Sequence, residues 1–194
     1  MAETFVDNGV EAVTADPTLA KSIWYFLQSI DEPVGSKAIL PSHQTDGETD
    51  YGGDSIDEQT KFGRIVMPST NEDSIELTTY VAPGDKSVEI IKQAKHDGKP
   101  VKVWRVVVDK RFATEEQDGD TTHQVFPAEF GYGIVDELDV SDGDDLVEAD
   151  YTLNITGKLV DGTFPLTDEQ ISALEAVVKF ERPGETTGEP GASK

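Results

Sequence analysis

Apolar and polar positions along the chain fall into stretches of strand period, one stretch of helical period and several with no period at all. Lys21–Ile30 contains Ile23, Trp24, Tyr25, Phe26 and Leu27 in an unbroken apolar run, which predicts a buried strand. Ser74–Ala82 alternates instead, setting Ile75, Leu77, Thr79 and Val81 on one face, and Pro83-Gly84 ends it. The period then changes. Val88, Ile91 and Ala94 form a stripe at helical spacing with Ile90 beside it, preceded by Asp85 as an N-cap and Glu89 in the first turn. Lys92, Lys95 and His96 follow toward the C-terminal end, where Gly98 supplies a stop. These signals predict a helix over Asp85–Asp97 that packs its Val88, Ile91 and Ala94 stripe on a sheet.

The run Pro100–Asp109 predicts a strand with apolar groups on both faces: Val101, Val103 and Val107 beside Arg105 on one, Trp104, Val106 and Val108 beside Lys102 on the other. Two longer alternating segments follow, separated by the turn signal Ser141-Asp142-Gly143-Asp144. In the first, Phe130, Tyr132, Ile134, Leu138 and Val140 read as one face, interrupted by Asp136, and Glu129, Gly131, Gly133, Val135, Glu137 and Asp139 as the other. In the second, Val147, Ala149, Tyr151, Leu153 and Ile155 oppose Glu148, Asp150, Thr152, Asn154 and Thr156. The expectation is a long antiparallel hairpin with one apolar and one acidic face. Val160-Asp161-Gly162-Thr163 reads as a further turn. Thr167 reads as the N-cap of a short helix over Asp168–Ala176 with Ile171 and Leu174 on one side, and Val177–Phe180 as an added strand.

Three stretches lack a period. Residues 1–20 read as an irregular arm. Pro41–Thr60, rich in Asp, Glu, Gly, Ser and Thr and without Lys or Arg, reads as a long acidic surface loop, and Thr114–Thr122 as a shorter one. From Pro183 the composition is that of a flexible tail. The organisation expected is one domain over residues 1–182 followed by a tail over 183–194.

Composition narrows the function. The 194 residues carry a formal charge of −23, which opposes binding to nucleic-acid phosphates and keeps single chains apart. No cysteine is present, which excludes disulfides, zinc–thiolate sites and thiol nucleophiles. Met1–Leu19 has acids and no base, unlike the positive start of a secretory signal, and no apolar run is long enough to cross a bilayer as a helix. The reading is therefore a protein of an aqueous compartment with no membrane partner. No phosphate loop or dinucleotide fingerprint occurs, and His43, His96 and His123 have no ligand or catalytic spacing. The acids Asp139, Asp142, Asp144 and Asp145 bunch at the hairpin turn without the spaced pattern of a calcium loop. No catalytic residue, metal site or cofactor is expected. A long hairpin with an exposed edge is a liability in a monomer and makes sense where edges pair between subunits.

Three stretches carry a family resemblance: Pro100-Val-Lys-Val-Trp-Arg-Val-Val-Val-Asp109 after the helix, then Phe130-Gly-Tyr-Gly-Ile-Val-Asp-Glu-Leu-Asp139, then Asp150-Tyr-Thr-Leu-Asn-Ile-Thr-Gly-Lys-Leu-Val-Asp-Gly-Thr-Phe-Pro-Leu166. In order and spacing they resemble the major tail (tail tube) proteins of siphophages, closely over the second half and in layout over the first. The resemblance implies a mainly β (α+β) fold, a tail-tube β-sandwich or barrel with one flanking helix and a long hairpin. It implies a virion protein that stacks as hexameric rings around a tape measure protein, meets distal tail and tail terminator proteins, and lets double-stranded DNA pass without specific binding. On that reading Glu137, Asp139, Glu148 and Asp150 are candidates to line the channel. Phe130, Tyr132, Ile134, Tyr151 and Leu153 are candidates for hairpin contacts between subunits, through edges along Ala128–Val140 and Val147–Ile155. A related secretion or contractile tube protein, or a carbohydrate-binding or adhesion sandwich, is the alternative. An adhesion sandwich calls for exposed aromatics, whereas Phe130, Tyr132 and Tyr151 read as core.

Overall fold

The computed structural model describes residues 9, 15–118, 121–143 and 145–175. The 183–194 tail, the Val177–Phe180 strand and most of the N-terminal arm lie outside them. Eight strands form a single antiparallel sheet: β1 (Ile23–Ser29), β2 (Gln44–Thr60), β3 (Gly63–Tyr80), β4 (Val101–Val107), β5 (Thr114–Asp118), β6 (Thr121–Asp142), β7 (Val147–Ile155) and β8 (Val160–Leu166). Helix α1 spans Ser87–Asp97 between β3 and β4, and α2 spans Asp168–Glu175 after β8. The main path runs β1-β4-β6-β7-β3-β2, with β5 and β8 added along β6.

Two apolar clusters lie on opposite faces of this sheet. On one, Leu27, Ile75, Leu77, Val101, Val103, Val135, Tyr151 and Leu153 pack under Ile91 and Ala94 of α1. On the other, Phe26, Val106, Phe126, Ala128 and Leu166 pack with Ile171 of α2, flanked by Trp24, Trp104, Phe164 and Leu174. The Phe26 and Phe164 rings stack with centroids 4.7 Å apart. β4 serves both clusters, as its two apolar faces require.

Helix α1 starts two residues later than its sequence signals suggest. The Asp85 carboxylate accepts from the backbone N–H of Ser87 at 2.8 Å and of Ser42 at 2.9 Å. Burial pushes its pKa up, but these donors outweigh burial and hold it below the usual carboxylate range. Gly98 ends the helix in the left-handed region, φ 64°. The stripe that faces the sheet is Ser87, Ile91 and Ala94 with Ile90 beside it; Val88 is only half-buried. At α2, Thr167 and Gln170 exchange reciprocal side-chain bonds, the Thr167 hydroxyl accepting from the Gln170 N–H at 3.3 Å and Gln170 Oε1 from the Thr167 N–H at 2.9 Å.

Three stretches with turn or loop composition are strands. Pro41–Thr60 is not a loop: Gln44–Thr60 forms β2, paired along its length with β3. Thr114–Asp118 pairs with Val125–Thr121 of β6, and Val160–Thr163 belongs to β8, paired with Phe130–Pro127. In each case backbone pairing, not burial, makes the strand, so no apolar alternation announces it.

Beyond Ser74, where β7 ends its pairing with β3, the β2–β3 ribbon continues alone to its turn at 61–62. Ile56, Ile65, Val66 and Met67 are exposed on this ribbon, and Phe62 at its tip is fully so. The sheet also curls. β1 and β2 stand at opposite ends of the strand order, yet the Tyr25 hydroxyl and Thr49 Oγ1 are hydrogen-bonded at 3.0 Å. A Cβ on Gly47 would lie 2.5 Å from the Tyr25 ring, so only glycine lets the two end strands come this close.

Ile91 is fully buried between α1 and the sheet. Ile91→Asp should destabilise the folded chain by about 3–5 kcal/mol through an uncompensated buried charge. A fall in melting temperature of roughly 10 °C is the expected reading by calorimetry.

Candidate functional site

The pairing of β6 with β7 shifts register between Val135 and Glu137, leaving Asp136 as the extra residue of a β-bulge. A bulge exchanges the two faces of a strand from that point on. Residues paired across an antiparallel ladder share a face, so the registers place every side chain. Ahead of the bulge, Gly131, Gly133 and Val135 face the α1 side; beyond it, Leu138 and Val140 do, opposite Tyr151 and Ala149. The other face carries Phe130, Tyr132 and Ile134 ahead of the bulge and Glu137 and Asp139 beyond it. Straight alternation through Asp136 groups these residues wrongly: Phe130, Tyr132 and Ile134 share a face with the acids and not with Leu138 and Val140.

Lysine 95, in the last turn of α1, sits over this bulge. Its ammonium donates to the Val135 carbonyl at 3.2 Å and to the Asp136 carbonyl. Both carbonyls lie on β6 beyond Gly133, where its pairing with β4 ends, and a cation is well suited to them.

The four acids singled out in the sequence come together on the face away from α1. Asp139 stands directly opposite Asp150, Glu137 opposite Thr152, and Glu148 opposite Ser141. The same face continues across β3 and β2 through Glu76, Asp46, Glu48 and Asp50. No Lys or Arg occupies the positions of this face between these residues. Like charges opposite one another destabilise an isolated sheet, and here the Thr78 hydroxyl donates to Asp150 at 2.6 Å and the Gly47 N–H to Asp46 at 2.8 Å.

The candidate contact residues divide. Tyr151 and Leu153 are 2% and 0% exposed inside the subunit's own core, so they are closed to a neighbouring chain. Burial pushes the Tyr151 hydroxyl's pKa well up. Tyr132 and Ile134 are 44% and 41% exposed on the acidic face, and the Phe130 ring packs between Trp104 and Tyr132 with centroids 5.2 and 5.0 Å away. Phe130 and Tyr132 are therefore not core residues of the α1 side.

The candidate edges change in the same way. β7 is hydrogen-bonded on both sides, to β6 and to β3. The 128–133 part of β6 is covered by β4 on one side, and by β8 or β7 on the other. Among the described residues, the outer edges of β1, β5 and β8 and the β3 edge over residues 63–73 carry no partner strand, and so do two others: the outer edge of β2, and the edge of β6 over residues 134–142 opposite β7. The last two lie at the two ends of the acid-faced sheet β6-β7-β3-β2.

The root of β2 is anchored by polar groups that sequence reading passed over. The Tyr51 hydroxyl donates to Glu129 at 2.5 Å, and the Arg105 guanidinium donates to the same carboxylate at 2.9 Å. Burial, with the Glu129 carboxylate next, pushes the Tyr51 hydroxyl up to about 12, so it remains a donor at neutral pH. Arg105 among valines was the available signal, since a guanidinium on an apolar face calls for a carboxylate; Tyr51 lay in a stretch that read as loop.

Residues 21–161 match the family model described as phage tail tube protein. The chain belongs to the phage tail tube protein family. It is 35% identical over 178 residues to a tail tube protein of Bacillus phage SPP1, covering 90% of this chain and 64% of that protein, so it spans about two-thirds of the relative's length. The solved SPP1 tail tube is similar at a TM-score of 0.63 and 30% identity, over 90% of this chain and 96% of that one. The tail of an empty gene transfer agent particle, refined with C6 symmetry, matches at a TM-score of 0.54 and 12% identity over 74% of this chain and 98% of that one, a likeness of fold. The expected mainly β tube fold with a flanking helix is the fold observed.

In a tail tube subunit of this shape the bulge decides which way Glu137 and Asp139 point. Lys95→Met should lower stability by about 1–2 kcal/mol. Deleting Asp136 removes the bulge and one of the two carbonyls that Lys95 holds. In that background Lys95→Met should cost clearly less, and a chemical-denaturation double-mutant cycle reads the difference.

Proposed function

We propose that the chain is a structural subunit that polymerises through two of its open strand edges into rings, which stack into a tube whose acidic face lines the channel for DNA. The observation that carries this reading is the placement of the open edges. An unpartnered strand edge is a row of unmet donors and acceptors, and a barrel closed on itself has none. The outer edge of β2 and the 134–142 edge of β6 are different surfaces, so pairing one with the other is head-to-tail and closes a ring when the rotation between subunits permits. Hexameric rings follow from the family resemblance.

In such a ring the face away from α1 is continuous from subunit to subunit. Directed inward, its carboxylates repel phosphates, so DNA passes over a layer of water and ions and does not release counterions to bind. A wall of lysines would hold it. The projecting part of the β2–β3 ribbon, roughly 30 Å of paired strand with apolar side chains uncovered, is marginal alone in water and is suited to contact a subunit of the next ring. The tube houses a tape measure protein and ends on distal tail and tail terminator proteins.

The absence of cysteine makes the edge pairing directly testable. Within one subunit β2 and β6 are separated by β7 and β3, so their backbones stand roughly 14 Å apart, too far for a disulfide. Asp139→Cys combined in turn with Asp46→Cys, Glu48→Cys or Asp50→Cys should, in assembled tubes, give one combination that oxidises to a ladder of covalent multimers on non-reducing gels. Monomers alone in all three combinations would rule out this pairing. The channel assignment has its own test: Glu148→Lys with Asp150→Lys should leave tubes forming and slow or stop DNA delivery, and normal delivery through such tubes would remove these residues from the channel wall.

A further inference from the structure

The ring reading requires two edges to pair and any other edge to stay silent. β1 is a further exposed end of the sheet: it stands at the far end of the strand order, paired along its length with β4. We propose that Gln44 is a specificity-determining residue for assembly, its side-chain amide acting as a one-residue strand that closes the outer edge of β1. This rests on the edge-pairing reading given above.

Backbone groups along one edge of a strand alternate, so the groups pointing away from β4 are those of Ile23, Tyr25, Leu27 and, at the strand's end, Ser29, whose carbonyl accepts from the Glu32 N–H at 3.4 Å. Each of these residues is engaged. The Ile23 N–H donates to the Ala20 carbonyl. The Leu27 N–H donates to the Ile39 carbonyl at 2.8 Å, and the Ile39 N–H returns to the Leu27 carbonyl at 2.7 Å. Between them, the Tyr25 N–H donates to Gln44 Oε1 at 3.0 Å while Gln44 Nε2 donates to the Tyr25 carbonyl at 2.7 Å. A primary amide presents one donor and one acceptor side by side, the same pair a neighbouring strand residue would present. Unlike a strand residue, it carries no second ladder beyond itself, so the pairing stops there.

Gln44 is also the first residue of β2, the strand whose outer edge is open. The cleft between the two strands, lined by Ile23, Tyr25, Gln44 and Gly47, is where the β2 edge of a second copy would otherwise add to β1. By occupying Tyr25 from within the chain, Gln44 withdraws β1 from competition with the 134–142 edge of β6 as the acceptor for β2. Backbone addition at an open edge is indifferent to side chains, so specificity must come from blocking the wrong edge.

The test uses the full chain. Gln44→Leu has nearly the same volume and removes both bonds. Gln44→Glu keeps an acceptor for the Tyr25 N–H but loses the donor to its carbonyl. In the Leu variant, exchange of the Tyr25 amide should rise about tenfold or more, and sedimentation with electron microscopy should show irregular oligomers at the expense of tubes. In the Glu variant Tyr25 should stay closer to wild-type protection, yet irregular association should still appear, because the carbonyl is open. Should the Leu variant fail to fold, the Glu variant decides. Wild-type tube yield without irregular oligomers in a folded variant, or unchanged Tyr25 exchange in the Leu variant, overturns the proposal. Carrying the Asp139→Cys ladder in the same tubes separates the two readings: a ladder with normal assembly of the Gln44 variants removes only the role of Gln44, whereas no ladder removes the edge pairing and this proposal with it.

Discussion

Every buried strand needs partners for its backbone amides, and here one strand meets that need for four others. The 22 residues of β6 pair with β5 and β4 along one side and with β8 and β7 along the other. Both apolar clusters are organised about it, Val135 on the α1 side and Phe126 and Ala128 on the α2 side. β6 extends past β4, and from that excess length comes one of the open edges. The subunit's core and the edge proposed to pair between subunits are thus two parts of the same strand.

The bulge at Asp136 reconciles these parts. Without the extra residue, a strand that must bury Val135 under α1 could not also bury Leu138 on the same face. With it, Leu138 joins the core side and Glu137 and Asp139 turn to the other, where they meet Glu148 and Asp150. Lys95 holds the bulge carbonyls from the helix that the same core supports. Packing, backbone satisfaction and the acidic face therefore stand or fall together at a single irregular residue.

Burial is what the sequence announces well. β7 and the helix with its Gly98 stop are legible because one face of each is apolar and the other is not, and β1 and β4 because apolar residues run along both of their faces. The acids Glu137, Asp139, Glu148 and Asp150 were recognisable as a set, and the structure does gather them on one face. Their relation to Phe130, Tyr132 and Ile134 was misread because a bulge inserts one residue and leaves the residue types on either side unchanged. β2, β5 and the start of β8 were missed for the opposite reason. Asp, Gly and Ser are poor strand formers by propensity, and a ribbon with solvent on both faces has no period to read. Edge pairing depends on unmet backbone groups, which are identical for every residue, so neither Gln44 at Tyr25 nor the open side of β2 can be seen in a sequence.

The acidic face has a consequence for ions. On a free subunit its carboxylates look out into solvent, and at physiological salt charges further apart than about 8 Å scarcely feel one another. In the ring proposed above, with this face inward, the same carboxylates would face each other across a narrow enclosed space that must fill with cations to be tolerable. Closing the ring is then linked to ion uptake, and added salt favours the polymer by lowering the work of bringing the charges together. The hollow of such a tube is, before any DNA enters it, a column of concentrated mobile cations.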